Sequence, residues 1–240
     1  MAETQEQEEP LSEAKAGKIL DAIYEKALNG VPMVSHSVDE IANDYLSRHD
    51  TPAAAARSLA RWQVAKCGTS GFLSGLGGII TLPVTIPANV GSVMYVQMRM
   101  IAAIAKMGGY DVNSDQVQTL VYMCLTGTTL ADIVKEAGIQ IGTKSLTAAI
   151  KKIPGAVLIK INQKIGFRFL TKFGEKGAIN LGKLVPVAGG LIGGGVDIAS
   201  TIVISRNAIR MFIENEAPDM SEPTEEEIEN AEDITVEVID

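Results

Sequence analysis

Hydrophobic positions recur at the helical period along most of the chain, and the breaks between periodic segments carry cap and stop residues. Ser12 can cap a helix running to about Asn29, with Ile19, Leu20, Ile23, Ala27 and Leu28 on one face and Gly30 closing it. After a turn through Pro32, Ser37 and Glu40 stand three apart, the spacing of a capping box, and open a helix to about His49. Thr51, followed by Pro52 at the first helical position, starts a third helix that ends at Gly68.

The pattern then changes. Between Lys66 and Arg99 no residue is charged, and the run is long enough to span a bilayer, which takes about 20 apolar residues. Pro83, Pro87, Asn89 and a cluster of glycines interrupt it, and proline inside a helix removes a donor and clashes with the preceding turn. The expectation is an apolar, glycine-packed turn region feeding a buried helix from about Asn89 to Met107, stopped by Gly108 and Gly109. A new cap near Ser114 opens a helix to Gly127, and two more are expected over 129–138 and 139–153. The stretch VLIKINQKIGFRFL first alternates apolar and basic residues like a strand, but its later spacing favours a helix. A second Gly/Pro-rich apolar stretch leads into a last helix from about Asp197 to Glu214. Laid over ANVGSVMYVQMRMIAAI, the run VDIASTIVISRNAIRMFI sets Asp197 against Asn89 and Ser200 against Ser92. The echo suggests two related helix units packed together, by duplication or by convergent use of small residues.

The resulting expectation is an all-α, multi-helix globular domain over residues 12–215 with Gly/Pro-rich apolar helical hairpins. Disordered acidic termini, 1–11 and 216–240, flank it. At 240 residues the chain can bury a sizeable core, and its 46% hydrophobic but only 5% aromatic content suits close packing of Ile, Val, Leu, Ala and Gly. MAETQEQEEP lacks the basic and apolar regions of a secretory signal, which makes the cytoplasm the expected compartment. Cys67 and Cys124 each sit in an apolar helical pattern and read as buried hydrophobes, with no disulfide framework.

Charge is segregated behind the net value of −8. No Lys or Arg follows Arg210, while twelve acidic residues do, from Glu214 to Asp240. Between Lys135 and Lys183 the balance reverses, with ten basic residues against Glu136 and Glu175. Within that segment Lys144, Lys151, Lys152, Lys160, Lys164, Arg168, Lys172 and Lys176 are interleaved with Ile, Leu and Phe. Such a face suits an anionic membrane surface, each basic residue near it contributing on the order of 1 kcal/mol. Nucleic acid is not expected, because the total charge is acidic and no reader motif occurs. The acidic tail is expected to be solvated, to shield the basic face, or to dock a protein partner.

Enzyme chemistry finds little support. His36 and His49 lie in polar helices without partners at catalytic or metal-ligand spacing, and GGLIGGG lacks the Lys-Ser/Thr of a phosphate-binding loop. No catalytic residue, cofactor or metal is therefore expected. The pairs Gly71 and Gly75, Gly189 and Gly193, and Gly190 and Gly194 have the four-residue spacing that lets helix backbones approach, in membranes or in a packed core. Arg99 and Asp197 stand in apolar runs where a lone charge is costly, and they are expected to pair structurally with each other.

The order SGFLSGLGGIITLPVTIPANVGSVMYVQMRMIAAIAKMGGYD, then TLVYMCLTG, then INLGKLVPVAGGLIGGGVD, resembles the EcsC family over roughly Ala53 to Ile213. One departure is Thr85, where many relatives carry an acidic residue. The family is named for a gene beside an ABC-type transporter operon. The resemblance implies a bacterial-type helical protein, with membrane association among its expectations, and names no reaction. The functional expectation is a non-enzymatic protein peripheral to the inner face of the cell membrane. Its rival is a soluble regulator of a transporter or other protein partner, and an enzyme of unknown type comes third.

Overall fold

Local caps, each built from one or two polar side chains, set where the helices begin. The computed structural model describes residues 12–67, 88–127, 153–173, 194–216, 218–219 and 221–231, with the backbone alone for 88–90, 168–173 and 194–197. Helix α1 (Glu13–Asn29) starts where Ser12 Oγ accepts from the Lys15 amide at 3.2 Å and stops at Gly30, whose φ of 73° lies in the left-handed region. Helix α2 (Val38–Arg48) has the expected capping box: Ser37 Oγ accepts from the Glu40 amide and Glu40 Oε2 from the Ser37 amide, at 3.2 and 2.8 Å. Thr51 caps α3 (Pro52–Cys67) through the Ala54 amide.

Helix α4 (Ala88–Met107) ends at the glycine pair, with Gly109 at φ 81°. Ser114 caps α5 (Asp115–Thr126), and Gly127 closes it in the left-handed conformation. The ambiguous VLIKINQKIGFRFL is helical, within α6 (Gly155–Phe173). Its inner positions Leu158, Ile161, Asn162, Ile165 and Gly166 are buried, a spacing that a helix can place on one face and a strand cannot. Helix α7 (Gly194–Ile209) continues into a π turn, Arg210–Glu214, which Asn215 ends at φ 57°. An eighth helix, α8, covers residues 225–231.

The all-α expectation therefore holds: the described residues form eight helices and no strand, with one isolated bridge between Val31 and Ser35. The helices expected over 129–138 and 139–153 lie, but for Ile153, outside the described residues, as do both Gly/Pro-rich apolar stretches and Thr85.

Helix α4 is the hub, packing against α1, α2, α3, α5 and α7. Its residues from Met94 to Met98 and from Met100 to Ala105 are all buried, which is what a helix apolar on every side requires. The two echoing helices α4 and α7 do pack on one another. Their polar tie is buried Gln97, whose Nε2 donates to Thr201 Oγ1 at 3.0 Å and Ser200 Oγ at 3.4 Å. Glycine permits a close crossing of α1 and α6 instead: a Cβ on Gly166 would sit 3.1 Å from the Ala16 carbonyl oxygen, and one on Gly17 would strike Gln163.

Aromatic and polar groups join α1 to α5. Tyr24 meets Tyr122 edge-on at 5.7 Å and donates to the Val112 carbonyl at 2.8 Å. Asp21 accepts from Tyr122 Oη at 3.0 Å and Gln118 Nε2 at 2.9 Å. Desolvation outweighs those two bonds and raises the Asp21 pKa above its ordinary 3.8. The folded state then holds this proton more tightly than the unfolded chain does. Its stabilising contribution is full below about 3.8 and is lost as pH rises through the folded value. Asp21→Asn, which mimics the protonated form, is expected to gain on the wild type between pH 4 and pH 7 in urea denaturation. A stability difference that does not change with pH would sink this account.

Candidate anion-binding surfaces

Three surface features bear on function, and the first is the basic segment. Lys144, Lys151, Lys152 and Lys176 lie outside the described residues. Lys160, Lys164, Arg168 and Lys172 are all on α6, and Lys160 and Lys164, one turn apart, share its outward side. Lys160 is exposed and Lys164 half-buried, and Ile159 beside them is 51% exposed. Leu158, Ile161 and Ile165 turn inward, because α6 packs against α1 and α5. The outward face is thus basic and partly apolar, with aliphatic lysine stems able to lie along Ile159.

A second feature is the turn between α1 and α2, where Met33 is fully exposed and Val34 nearly half so. The turn is built, not loose: the Val31 amide donates to Ser35 Oγ at 2.9 Å, and the Ser35 and Tyr95 hydroxyls are hydrogen-bonded at 2.5 Å. Met33 takes a left-handed φ of 63° at its apex. Its signal in the sequence is VPMV, an apolar run set in a turn.

The third feature is a cleft of about 690 Å³ between α3 and α7, walled on one side by α8. Two arginine pairs face it at i,i+4 spacing, Arg57 and Arg61 on α3, and Arg206 and Arg210 at the end of α7. Both pairs are legible as RxxxR, but only the fold places them opposite each other. Arg57 pairs with Glu214 at 3.6 Å, Arg206 with Glu227 at 3.5 Å and Arg210 with Glu216 at 3.1 Å. Arg61 makes no ion pair among the described residues. Arg206 also donates through Nη2 to the Ser221 carbonyl, while its Nε is buried with no acceptor among the described residues.

The α8 wall departs from the expectation of a disordered tail beginning at residue 216. Thr224 and Glu227 form a capping box, the Thr224 amide donating to Glu227 Oε2 at 2.8 Å and Thr224 Oγ1 accepting from the Glu227 amide at 3.2 Å. Ile228 and Ala231 then pack on Val64, Ile198 and Ile202. The Asp219 amide donates to Asn207 Oδ1 at 2.6 Å, fixing the approach to the helix. Backbone and side-chain hydrogen bonds from Ser221 lower the Asp219 pKa. The acidic segment is held by arginines of α7 through a few charge-assisted bonds and a small apolar patch. Residues 232–240 lie outside the described residues.

The Arg99 and Asp197 pair is not described, because the Asp197 side chain lies outside the described residues. Arg99 stands with its guanidinium 5.7 Å from the Tyr95 ring centre, a cation–π arrangement. Burial, and secondarily the charge of Arg99, lower the pKa of Lys66 nearby. Cys67 and Cys124 are buried thiols outside any disulfide, and burial pushes Cys124 up to about 12, which leaves it protonated and unreactive at neutral pH. His36 is exposed, and His49 stacks on Tyr45. Among the described residues no three His, Cys, Asp or Glu side chains gather to hold a metal, and no helix is long and apolar enough to cross a membrane. The motif glycines from Gly71 to Gly193 lie outside the described residues, and Gly194 opens α7. Compared with protein-family models, curated proteins and solved structures, the chain matches none.

Proposed function

We propose that the protein is a non-enzymatic, EcsC-like helical protein that associates peripherally with anionic membranes, at the cytoplasmic face. The observation that carries the reading is the outward face of α6, where Lys160 and Lys164 stand one turn apart beside exposed Ile159. Residues one turn apart can approach one plane, and an interfacial helix binds by combining such charges with modest apolar insertion. The exposed Met33 and Val34 supply further apolar surface suited to a headgroup layer.

Flotation with vesicles tests the reading. The wild type is expected to rise with anionic vesicles, to stay behind with neutral ones, and to be released by salt because the attraction is screened. Lys160→Gln/Lys164→Gln removes two charges at about 1 kcal/mol each and is expected to weaken partitioning roughly 30-fold. Absence of flotation at low salt would favour the soluble regulator of a transporter or other protein partner.

A further inference from the structure

The cleft between α3 and α7 lies on different helices from the basic face of α6, and peripheral membrane association makes no use of it. We propose that this cleft is a binding site for a single-chain amphiphile with an anionic head, a carboxylate or phosphate on an alkyl chain.

Four observations converge on that chemistry. A volume of about 690 Å³ falls in the range of small-molecule sites. The lining holds Arg57, Arg61, Arg206 and Arg210 against Glu214 and Glu227, with Glu216 paired to Arg210 beside it, which leaves Arg61 as the local positive excess in a chain of net −8. Guanidinium groups present forked donors that match carboxylate and phosphate oxygens. The remaining lining includes apolar Val64, Ile202 and Ile209, a surface suited to a hydrocarbon.

Occupancy of the arginines by the protein's own carboxylates is incomplete. The pairs to Glu214 and Glu227, at 3.6 and 3.5 Å, are longer than the roughly 2.7–2.9 Å of a strong charge-assisted bond. Arg61 keeps its whole guanidinium for a ligand. An inorganic anion would engage the arginines and leave the apolar wall wet. An uncharged alkyl chain would cover the wall and leave the arginines without an anion. Only a molecule with both parts answers both.

Isothermal titration calorimetry on the full chain, without vesicles and below micelle-forming concentrations, tests the site with four probes: dodecanoate, dodecyl phosphate, dodecanol and inorganic phosphate. Saturable binding of one dodecanoate or dodecyl phosphate per chain is expected, at least tenfold tighter than dodecanol or inorganic phosphate. The tighter of the two anionic probes identifies the head, a fatty-acid carboxylate or a phosphate ester. Arg61→Gln, an exposed change with no ion pair to lose, is expected to weaken the anionic probes about tenfold and leave dodecanol unaffected. Arg206→Gln is expected to weaken them further, with circular dichroism and the thermal midpoint reporting whether α8 stays docked. Lys160→Gln/Lys164→Gln is expected to bind normally, which separates this site from membrane association. The proposal is overturned if dodecanol or inorganic phosphate binds as tightly as the tighter of the two anionic probes, if no probe saturates, or if Arg61→Gln binds like the wild type.

Discussion

Gly30→Ala is expected to lower stability by roughly 2–5 kcal/mol, more than any exposed substitution in the chain. Two costs combine at this position. The φ of 73° is unfavourable for a residue with a Cβ by about 1–2 kcal/mol. The added carbon would also overlap the Ser35 carbonyl oxygen and lie 2.7 Å from the His36 carbonyl carbon, and forcing packed groups apart costs about 1–3 kcal/mol. Gly109 separates the two contributions, because its φ of 81° is similar but no atom lies within 4 Å of an added Cβ. Gly109→Ala should therefore lose only the conformational part, roughly 1–2 kcal/mol. Denaturant unfolding of both variants checks the difference, and equal losses would mean that the turn from Val31 to His36 yields freely.

Phe212→Ala is expected to cost about 3–5 kcal/mol, the range for deleting a buried aromatic ring. The side chain is 1% exposed and meets Tyr110 edge-on at 5.2 Å. Its carbonyl presses against Gly108 so closely that a Cβ there would overlap it, which leaves little room for the π turn to collapse into the void. Thermal and urea unfolding measure the loss. A cost near 1 kcal/mol would show that the end of α7 is only loosely seated on the end of α4.

Much of this fold was legible because it is written locally. Ser12, Ser37, Thr51 and Ser114 each announce a helix within four residues, and Gly109 ends one. The same grammar was available in the tail, where Thr224 and Glu227 repeat the spacing of Ser37 and Glu40 and precede apolar Ile228 and Ala231. Twelve acidic residues in a row of thirty masked it, since composition argued for solvation while spacing argued for a helix. Spacing prevailed because α3 and α7 supply what the acidic segment lacks alone: donors from Arg206, an acceptor on Asn207, and an apolar seat on Val64, Ile198 and Ile202.

The candidate site followed another rule. Arg57 and Arg61 stand about 150 positions before Arg206 and Arg210, and nothing in either neighbourhood says that they converge. Basic density drew attention to the middle segment instead, of which α6 carries Lys160, Lys164, Arg168 and Lys172. Arg99 shows a similar limit: an apolar run says that a charge must be compensated, but not that an aromatic ring one turn earlier stands beneath it.

The pairing of α1 with α6 has a consequence for how the chain is made. About 150 positions separate Ala16 from Gly166, against which it packs. At elongation rates of about 5–20 residues per second, α1 waits roughly 8–30 s for this partner to be synthesised. Through that interval Ala16, Gly17 and Leu20 lack the surface that Gln163 and Gly166 will provide. Nascent chains stalled before residue 155 should accordingly hold a holdase chaperone on the amino-terminal helices, and chains stalled far enough beyond Phe173 for α6 to leave the ribosome should shed it.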